Sequence, residues 1–173
     1  MTEFTAHRSK FPAFALALLL FGAASAYAGP NAFDITKVQP SFNGWDGTYN
    51  DILLSWTYNK YADPDNAYAL GSCFYIDAVD GDEAGTFEDY AKNLKKKDWL
   101  DFQYVWTEIS STEKLPDGFV YVGKSYDYTI GGEKAELAFV LVRKFKNTYI
   151  KCRGTFENAQ LLSEALAFCK ALQ

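Results

Sequence analysis

Nucleophilic and acid–base catalysis depend on a few side-chain types, and one of these is nearly missing from the chain. The only histidine is His7, close to the start. Histidine is the base of serine and cysteine nucleophile systems, the usual acid–base group at neutral pH and a common zinc ligand. Beyond His7 the sequence therefore excludes these chemistries. We expect no catalytic residue and no cofactor, and we predict that the protein is not an enzyme.

Carboxylates are the remaining groups that could act on a substrate or a metal. Asp77, Asp80, Asp82 and Glu83 lie close together in the sequence and could supply oxygen ligands to calcium. They lack the spacing of an EF-hand loop, and a solvated connection leading into a helix explains them equally. We predict no metal site and keep this cluster as the weak alternative. Other carboxylate pairs arise by chance in an acidic chain, so a carboxylate-only hydrolase is the least favoured function.

Three cysteines could form covalent links: Cys73, Cys152 and Cys169. Cys169 lies on the apolar face of a predicted helix and Cys152 on the preceding predicted strand, so we predict a disulfide between them. For a loop of this length, the link is expected to stabilise the fold by about 3 kcal/mol. Cys73 is then left as a buried free thiol, although pairings that involve Cys73 remain open.

Aromatic side chains are unusually frequent, at 17% of the chain. Many must be core residues, but four are candidates for an exposed binding surface: Trp45 in a Gly-rich loop, Tyr58 and Tyr61 beside a predicted turn, and Trp99 after a run of lysines. Exposed Trp and Tyr dominate protein interfaces, and they also stack on sugar rings. Core packing with scattered surface aromatics is the alternative interpretation.

The N-terminal segment is typical of an export signal. His7, Arg8 and Lys10 precede an apolar run at residues 11–21, and Ala26 and Ala28 form a small-x-small cleavage site. We predict a signal peptide at residues 1–28 and one globular domain at residues 29–173, located in the periplasm or secreted. An uncleaved anchor is the alternative, but the apolar run is shorter than the roughly 20 residues that span a bilayer.

The charge balance limits the class of partner. The whole chain carries a net charge of −5, and removal of residues 1–28 takes away two basic residues and one acidic residue, which leaves −6. Nucleic-acid-binding domains need a basic surface, so we do not expect nucleic acid as a partner. With the signal peptide removed, we also expect no stable membrane insertion.

The elements that must position these residues follow from periodicity. A mid-chain helix is predicted at residues 86–97, capped by Thr86 with Asp89, and a C-terminal helix follows Asn158. Strands are predicted at residues 51–58, 68–78, 98–109, 119–130, 137–145 and 148–153, with a weak strand at 35–42 and a loop at 43–47. This order predicts an α+β domain: an antiparallel sheet of about six strands with both helices packed on it.

The order of helix, strand, turn at residues 115–118 (LPDG), hairpin and C-terminal helix resembles the PsbP-like α/β/α sandwich over most of residues 50–172. Proteins of that family are mainly binding or assembly factors, so the resemblance implies a binding function. We expect a partner-binding factor of the bacterial cell envelope, such as an inhibitor, immunity or assembly protein. A small-molecule or carbohydrate binder with its pocket between sheet and helix is the alternative.

Overall fold

The fold is built on one antiparallel sheet. The computed structural model describes residues 33–61, 70–96, 104–127, 136–146 and 148–173. Within these ranges eight strands are present: β1 (Ser41–Phe42), β2 (Trp45–Asn50), β3 (Ser55–Tyr61), β4 (Leu70–Val79), β5 (Tyr104–Leu115), β6 (Gly118–Asp127), β7 (Glu136–Phe145) and β8 (Thr148–Phe156). The helical segments described are a 3-10 helix (Ile35–Lys37), α1 (Gly81–Ala84), α2 (Phe87–Asn93) and α3 (Ala159–Ala171).

The strands follow one another in two meanders. Their order across the sheet is β1-β2-β3-β4-β8-β7-β6-β5. The chain runs from the β1 edge inward to β4, passes through α1 and α2, enters β5 at the opposite edge, and returns strand by strand to β8. The two meanders meet where β4 pairs with β8, from Cys73 opposite Thr155 to Val79 opposite Tyr149.

The prediction of about six strands is wrong, although the broader α+β arrangement of helices on an antiparallel sheet is confirmed. The first hairpin was missed: β1 and β2 occupy a region predicted as the end of a weak strand followed by a loop. Within that weak strand, residues 35–37 form a 3-10 helix capped by the side chain of Asp34. The signal peptide predicted at residues 1–28 lies outside the described residues.

One face of the sheet, here called the α3 face, packs against the C-terminal helix. Leu162, Ala165 and Cys169 of α3 are buried on it, as the 3, 4, 7 spacing predicts. The helix begins where predicted, with the side chain of Asn158 accepting a hydrogen bond from the backbone N–H of Leu161 at 3.0 Å. The buried sheet residues of this face are Trp45, Trp56, Tyr58, Phe74, Ile76, Val120, Phe139, Leu141, Ile150, Cys152 and Phe156.

The opposite face, here called the α2 face, carries a second core over the β5–β8 half of the sheet. Tyr90 and Leu94 pack there against Trp106, Phe119 and Tyr121. The predicted capping box is confirmed, because Thr86 and Asp89 each accept a hydrogen bond from the other's backbone N–H. One continuous sheet therefore separates two cores that lie on opposite faces.

Candidate interaction site

Among the described residues, the most exposed large apolar side chains lie at the end of the β2–β3 hairpin. Residues 51–54 connect the two strands, and Ile52, Leu53 and Leu54 are 87%, 68% and 48% exposed. Single exposed apolar residues are common on protein surfaces, but a run of three large ones is not expected unless it has a function. We call residues Ile52, Leu53 and Leu54 the apolar tip.

Hydrogen bonds hold the apolar tip in a defined shape. The side-chain oxygen of Asn50 accepts from the backbone N–H groups of Ile52 and Leu53, each at 3.0 Å. The carbonyl of Leu54 accepts from the N–H of Ala78 on β4 at 3.2 Å, so the tip is also attached to its neighbouring strand. Because both ends of the turn are fixed, the apolar side chains are presented to solvent by a pre-organised backbone.

Leu54 has an unusual backbone conformation. Its φ is +49°, a left-handed conformation that costs an ordinary L-residue about 1–2 kcal/mol relative to the right-handed one. Glycine, asparagine or aspartate commonly occupies such a position. A strained residue that persists in a surface turn points to a function for that turn rather than to a requirement of the core.

The surroundings of the apolar tip are acidic. Asp51 is exposed and directly precedes it. The pKa of Tyr49, at the end of β2, is raised first by burial and then by the negative charges of Asp51 and Asp34. Lys37 pairs with Asp34 at 3.5 Å in an exposed contact. A partner that receives the tip would therefore be favoured by an apolar pocket with a basic or neutral rim.

Two of the four aromatic candidates cannot form the predicted exposed surface. Trp45 and Tyr58 are both completely buried, so the expectation that they are exposed is wrong. They lie on the α3 face, where Tyr58 stacks on Phe74 with ring centroids 4.7 Å apart. Burial raises the pKa of Tyr58, whose hydroxyl donates to the carbonyl of Gln39 at 2.5 Å. Packing against α3 therefore accounts for both residues.

The other two candidates have different outcomes. Tyr61, the last residue of β3, is 37% exposed, as expected for a residue at the end of a strand. Trp99 lies outside the described residues. The structure therefore does not bring the three described candidates together into one exposed surface, because Tyr61 is the only exposed residue among these three.

Two carboxylates of the acidic cluster have structural contacts within the protein. Asp80 caps α1 by accepting from the backbone N–H groups of Asp82 and Glu83, and Asp77 pairs with Arg153 on β8 at 3.3 Å. Across the described ranges no group of three or more His, Cys, Asp or Glu side chains is placed to hold a metal ion. Helix capping and a cross-strand ion pair explain these residues, so the structure gives the weak calcium alternative no support.

The cysteines divide between the two faces of the sheet. Cys152 and Cys169 are fully buried in the core of the α3 face, whereas Cys73 is only partly buried. Cys73 precedes Phe74 on β4, and because alternate residues of a strand point to opposite faces, its side chain is on the α2 face. Burial raises the pKa of Cys73, and a hydrogen bond with Tyr75 of the same face partly opposes this effect.

The interface between α3 and the sheet is filled by side chains, but two open cavities beside the helix are found among the described residues. One, of about 560 Å³, lies between β1 and α3 and is lined by Phe42, Asn43, Ser163, Glu164 and Phe168, among others. The rings of Phe42 and Phe168 stack there with centroids 3.9 Å apart. The other, of about 310 Å³, lies between the 3-10 helix and the end of α3, near Phe33 and Leu172.

Sequence reasoning missed the apolar tip because its residues fit a strand. Ile52 and Leu54 continue the alternation of Trp56 and Tyr58, which predicted a strand over residues 51–58. The signal that could have found the turn is Asn50 followed by Asp51, since both types favour turns through side-chain bonds to nearby backbone N–H groups.

Comparison of the chain with known protein families, with curated proteins and with solved structures returned no match. The resemblance to PsbP-like domains therefore stays a prediction. Among the described helices, none has both the length and the apolar composition needed to cross a lipid bilayer. The candidate site is consequently defined by its own geometry and charge.

Proposed function

We propose that the protein is a non-catalytic binding factor of the bacterial cell envelope that acts on another protein, as an inhibitor, immunity or assembly factor. The observation that carries this proposal is the apolar tip: three consecutive large apolar side chains, held in solvent by a hydrogen-bonded and locally strained turn. Export through the signal peptide at residues 1–28 is part of the same proposal.

The energy available from the apolar tip is sufficient for specific binding. Full burial of one exposed Leu or Ile contributes about 1.5–3 kcal/mol. Ile52 and Leu53 are the two most exposed large apolar residues described, so they have the most surface to bury. Because the turn is already ordered, little conformational freedom is lost on binding, and more of the burial energy appears as affinity.

A protein partner fits the apolar tip better than a lipid surface does. Segments that bind anionic membranes combine apolar residues with Lys and Arg. The tip is instead directly preceded by the exposed Asp51, and the domain as a whole is acidic. Negative charge beside the tip would repel an anionic membrane, whereas it would favour a protein pocket with a basic rim.

The test is affinity capture from the host's envelope fraction, with the wild type, a tip variant and a matched control each used as bait. The tip variant is Ile52→Ser with Leu53→Ser. The control, Thr107→Ser with Thr112→Ser, changes two exposed residues of β5 at the opposite edge of the sheet. Quantitative mass spectrometry should find a protein retained by the wild type and the control and lost by the tip variant.

A second step measures affinity directly. The retained protein is purified and titrated with each form, and the tip variant should bind at least about 100-fold more weakly, since two apolar side chains are lost. Flotation with vesicles of neutral and of anionic lipid is run in parallel. Proteins retained equally by all three forms, or binding to vesicles that depends on the tip, would contradict the proposal.

A ligand-binding function is the second candidate, favoured by the open cavity beside α3. Its floor includes the stacked rings of Phe42 and Phe168, and flat aromatic surfaces of this kind can pack against a sugar ring or another apolar ligand. Thermal-shift screening with sugars and lipids tests this function. A stabilisation that is lost in Phe168→Ser, but kept in the tip variant, would favour this function over protein binding.

A further inference from the structure

Two cysteine side chains meet in the core that joins the last strand to the last helix. Cys152 is on β8 and Cys169 on α3, and neither has any exposed surface. Both belong to one buried cluster on the α3 face, where burial and then the proximity of Cys169 raise the pKa of Cys152. Two neighbouring cysteine side chains in one apolar core are positioned for a covalent link with little movement of the backbone.

The surrounding structure keeps this pair in place. Cys152 lies between Ile76 of β4 and Leu141 of β7 in the registers of the two strand pairs that flank β8. Helix α3 packs across β4, β7 and β8. At the end of α3, the guanidinium of Arg143 donates to the carbonyls of Lys170 and Leu172, each at 2.8 Å. The helix is therefore fixed immediately beyond Cys169.

The third cysteine is placed where it cannot join this pair. Cys73 is on the α2 face of β4, with Phe74 beside it on the α3 face. The sheet itself lies between the sulfur of Cys73 and the pair, and a disulfide requires Cβ atoms about 3.5–4.5 Å apart. The sequence left pairings with Cys73 open. Such a pairing would require β4 to rotate so that Cys73 faced the opposite side of the sheet.

We propose that Cys152 and Cys169 are a disulfide-forming pair, oxidised in the mature protein, and that Cys73 remains a thiol. In the reaction each sulfur loses its hydrogen and an S–S bond forms. The two protons and two electrons pass to the disulfide of an envelope thiol–disulfide oxidoreductase, which leaves as a dithiol. This inference rests on the proposed export to the envelope, but it is independent of the proposed protein partner.

The timing of the reaction follows from the burial of the two sulfurs. Thiol–disulfide exchange begins when a thiolate attacks a disulfide, and it passes through a mixed disulfide between the two proteins. The cysteine must therefore be accessible to the oxidoreductase. Burial, followed by the proximity of Cys169, raises the pKa of Cys152 well above its ordinary value. The sulfur of folded Cys152 is thus both hidden and held in its thiol form, so oxidation takes place before α3 docks on the sheet. Once formed, the bond is shielded from reductants for the same reasons.

The test follows the thiols through refolding. The full chain is unfolded in denaturant with reductant and refolded in a mixture of reduced and oxidised glutathione. Free thiols are then alkylated in denaturant without reductant, and tryptic peptides are examined by mass spectrometry. We expect alkylation of Cys73 alone, and a cross-link between the peptide that contains Cys152 and the one that contains Cys169. Cleavage after Arg153 makes these separate peptides, so the link is read directly.

Two variants sharpen the result. Cys73→Ala should refold to a protein with no alkylated cysteine and the same cross-link. Cys169→Ala should leave two alkylated cysteines, because Cys73 and Cys152 face opposite sides of the sheet. Alkylation of all three cysteines in the refolded wild type, glutathione bound to Cys152 or Cys169, or a cross-link through Cys73 would overturn the proposal.

Discussion

The indole N–H of Trp45 donates a hydrogen bond to the carboxylate of Glu164, at 3.3 Å, across 119 residues of sequence. The same carboxylate oxygen accepts from the amino group of Lys60 at 3.1 Å. Lys60 also donates to the carbonyl of Asn43 at 2.8 Å. A partly buried ion pair thus connects the first two hairpins of the sheet to the last helix, and it gives the buried indole a hydrogen-bond acceptor.

This arrangement predicts a pH-dependent effect of Glu164→Gln. The hydrogen bond from Lys60 is the main reason that the pKa of Glu164 lies below its ordinary value of 4.5. A lowered folded-state pKa contributes stability that is present above the ordinary value and is lost as the pH falls through the folded-state value. The variant should be less stable than the wild type by about 1 kcal/mol at neutral pH, and the difference should shrink in acid.

Urea unfolding at a series of pH values measures this difference. Glu157→Gln is the matched control, because Glu157 is an exposed carboxylate just before α3. The control should change the free energy of unfolding by less than about 0.5 kcal/mol. A difference for Glu164→Gln that is constant from neutral to acidic pH would show that the charge of the carboxylate is not the cause.

Arg143→Lys should destabilise the fold although the charge is kept. The guanidinium of Arg143 donates twice to one carboxylate oxygen of Asp117, at 2.7 and 2.9 Å, and also reaches the last carbonyls of α3. A lysine ammonium cannot reproduce this planar set of donors, so we expect a loss of about 1–3 kcal/mol. Lys144→Arg, at an exposed neighbouring position, is the control and should be near neutral. Equal unfolding midpoints for Arg143→Lys and the wild type would contradict the prediction.

Leu54→Asn should raise stability while it weakens binding to the partner. Asparagine adopts the left-handed conformation more readily than leucine, so relief of strain should add about 1 kcal/mol to the free energy of unfolding. The substitution also removes an apolar side chain from the tip. Leu53→Asn is the control: it removes a similar apolar side chain from a residue without positive φ, so it should weaken binding with no gain in stability. A Leu54→Asn protein that is no more stable than Leu53→Asn would argue against strain at this position.

Reduction of the proposed disulfide should lower stability by about 3 kcal/mol, since the bond closes a loop of some 17 residues in the unfolded chain. The measurement is best made in Cys73→Ala, where Cys152 and Cys169 are the remaining thiols. Denaturant midpoints are compared with and without reductant. In Cys73→Ala with Cys169→Ala, which cannot form the bond, reductant should have no effect. If the midpoint of Cys73→Ala is also unaffected, the link does not stabilise the fold.

Local patterns predicted the C-terminal half of the fold well. The spacing of Leu162, Ala165 and Cys169 indicated α3, and Asn158 indicated where it begins. The hairpin from β7 to β8 and the turn at residues 115–118 followed from turn residues between β-rich runs. These elements were predictable because each depends on residues close in sequence, and their local preferences agree with the final fold.

The first hairpin was not predicted, because its second strand, β2, contains residue types that are uncommon in strands. Asn43 and Gly44 both have positive φ, at +46° and +77°, as a two-residue hairpin turn requires. The Asn-Gly pair was thus a usable signal, but Asp46 and Gly47 looked like a continued loop. The structure shows why Gly47 is suitable: a Cβ there would lie 2.6 Å from the ring of Tyr58 and 2.8 Å from the carbonyl of Pro40. Only the folded neighbours reveal that requirement.

The candidate site was out of reach of periodicity for a related reason. The alternation of apolar and polar residues predicts which side chains share a face of a strand, but it does not predict where the strand ends. The side chain of Asn50 accepts hydrogen bonds from the backbone N–H groups of Ile52 and Leu53, and β2 ends there. Residues that were predicted to lie in a strand are therefore exposed in a turn. Conversely, Trp45 looked exposed because the helix that covers it comes from the far end of the chain.

The meeting of the two meanders at β4 and β8 has a consequence for the order of folding. Each meander needs only contacts between consecutive strands, which form rapidly because the intervening loops are short. Pairing of β4 with β8 joins residues about 70–80 positions apart, such as Ile76 and Cys152, and must wait until both strands have their partners. The chain should therefore assemble as two half-sheets that join in a late step. Amide hydrogen exchange would detect that step as a set of hydrogen bonds, along one central strand pair, that open together.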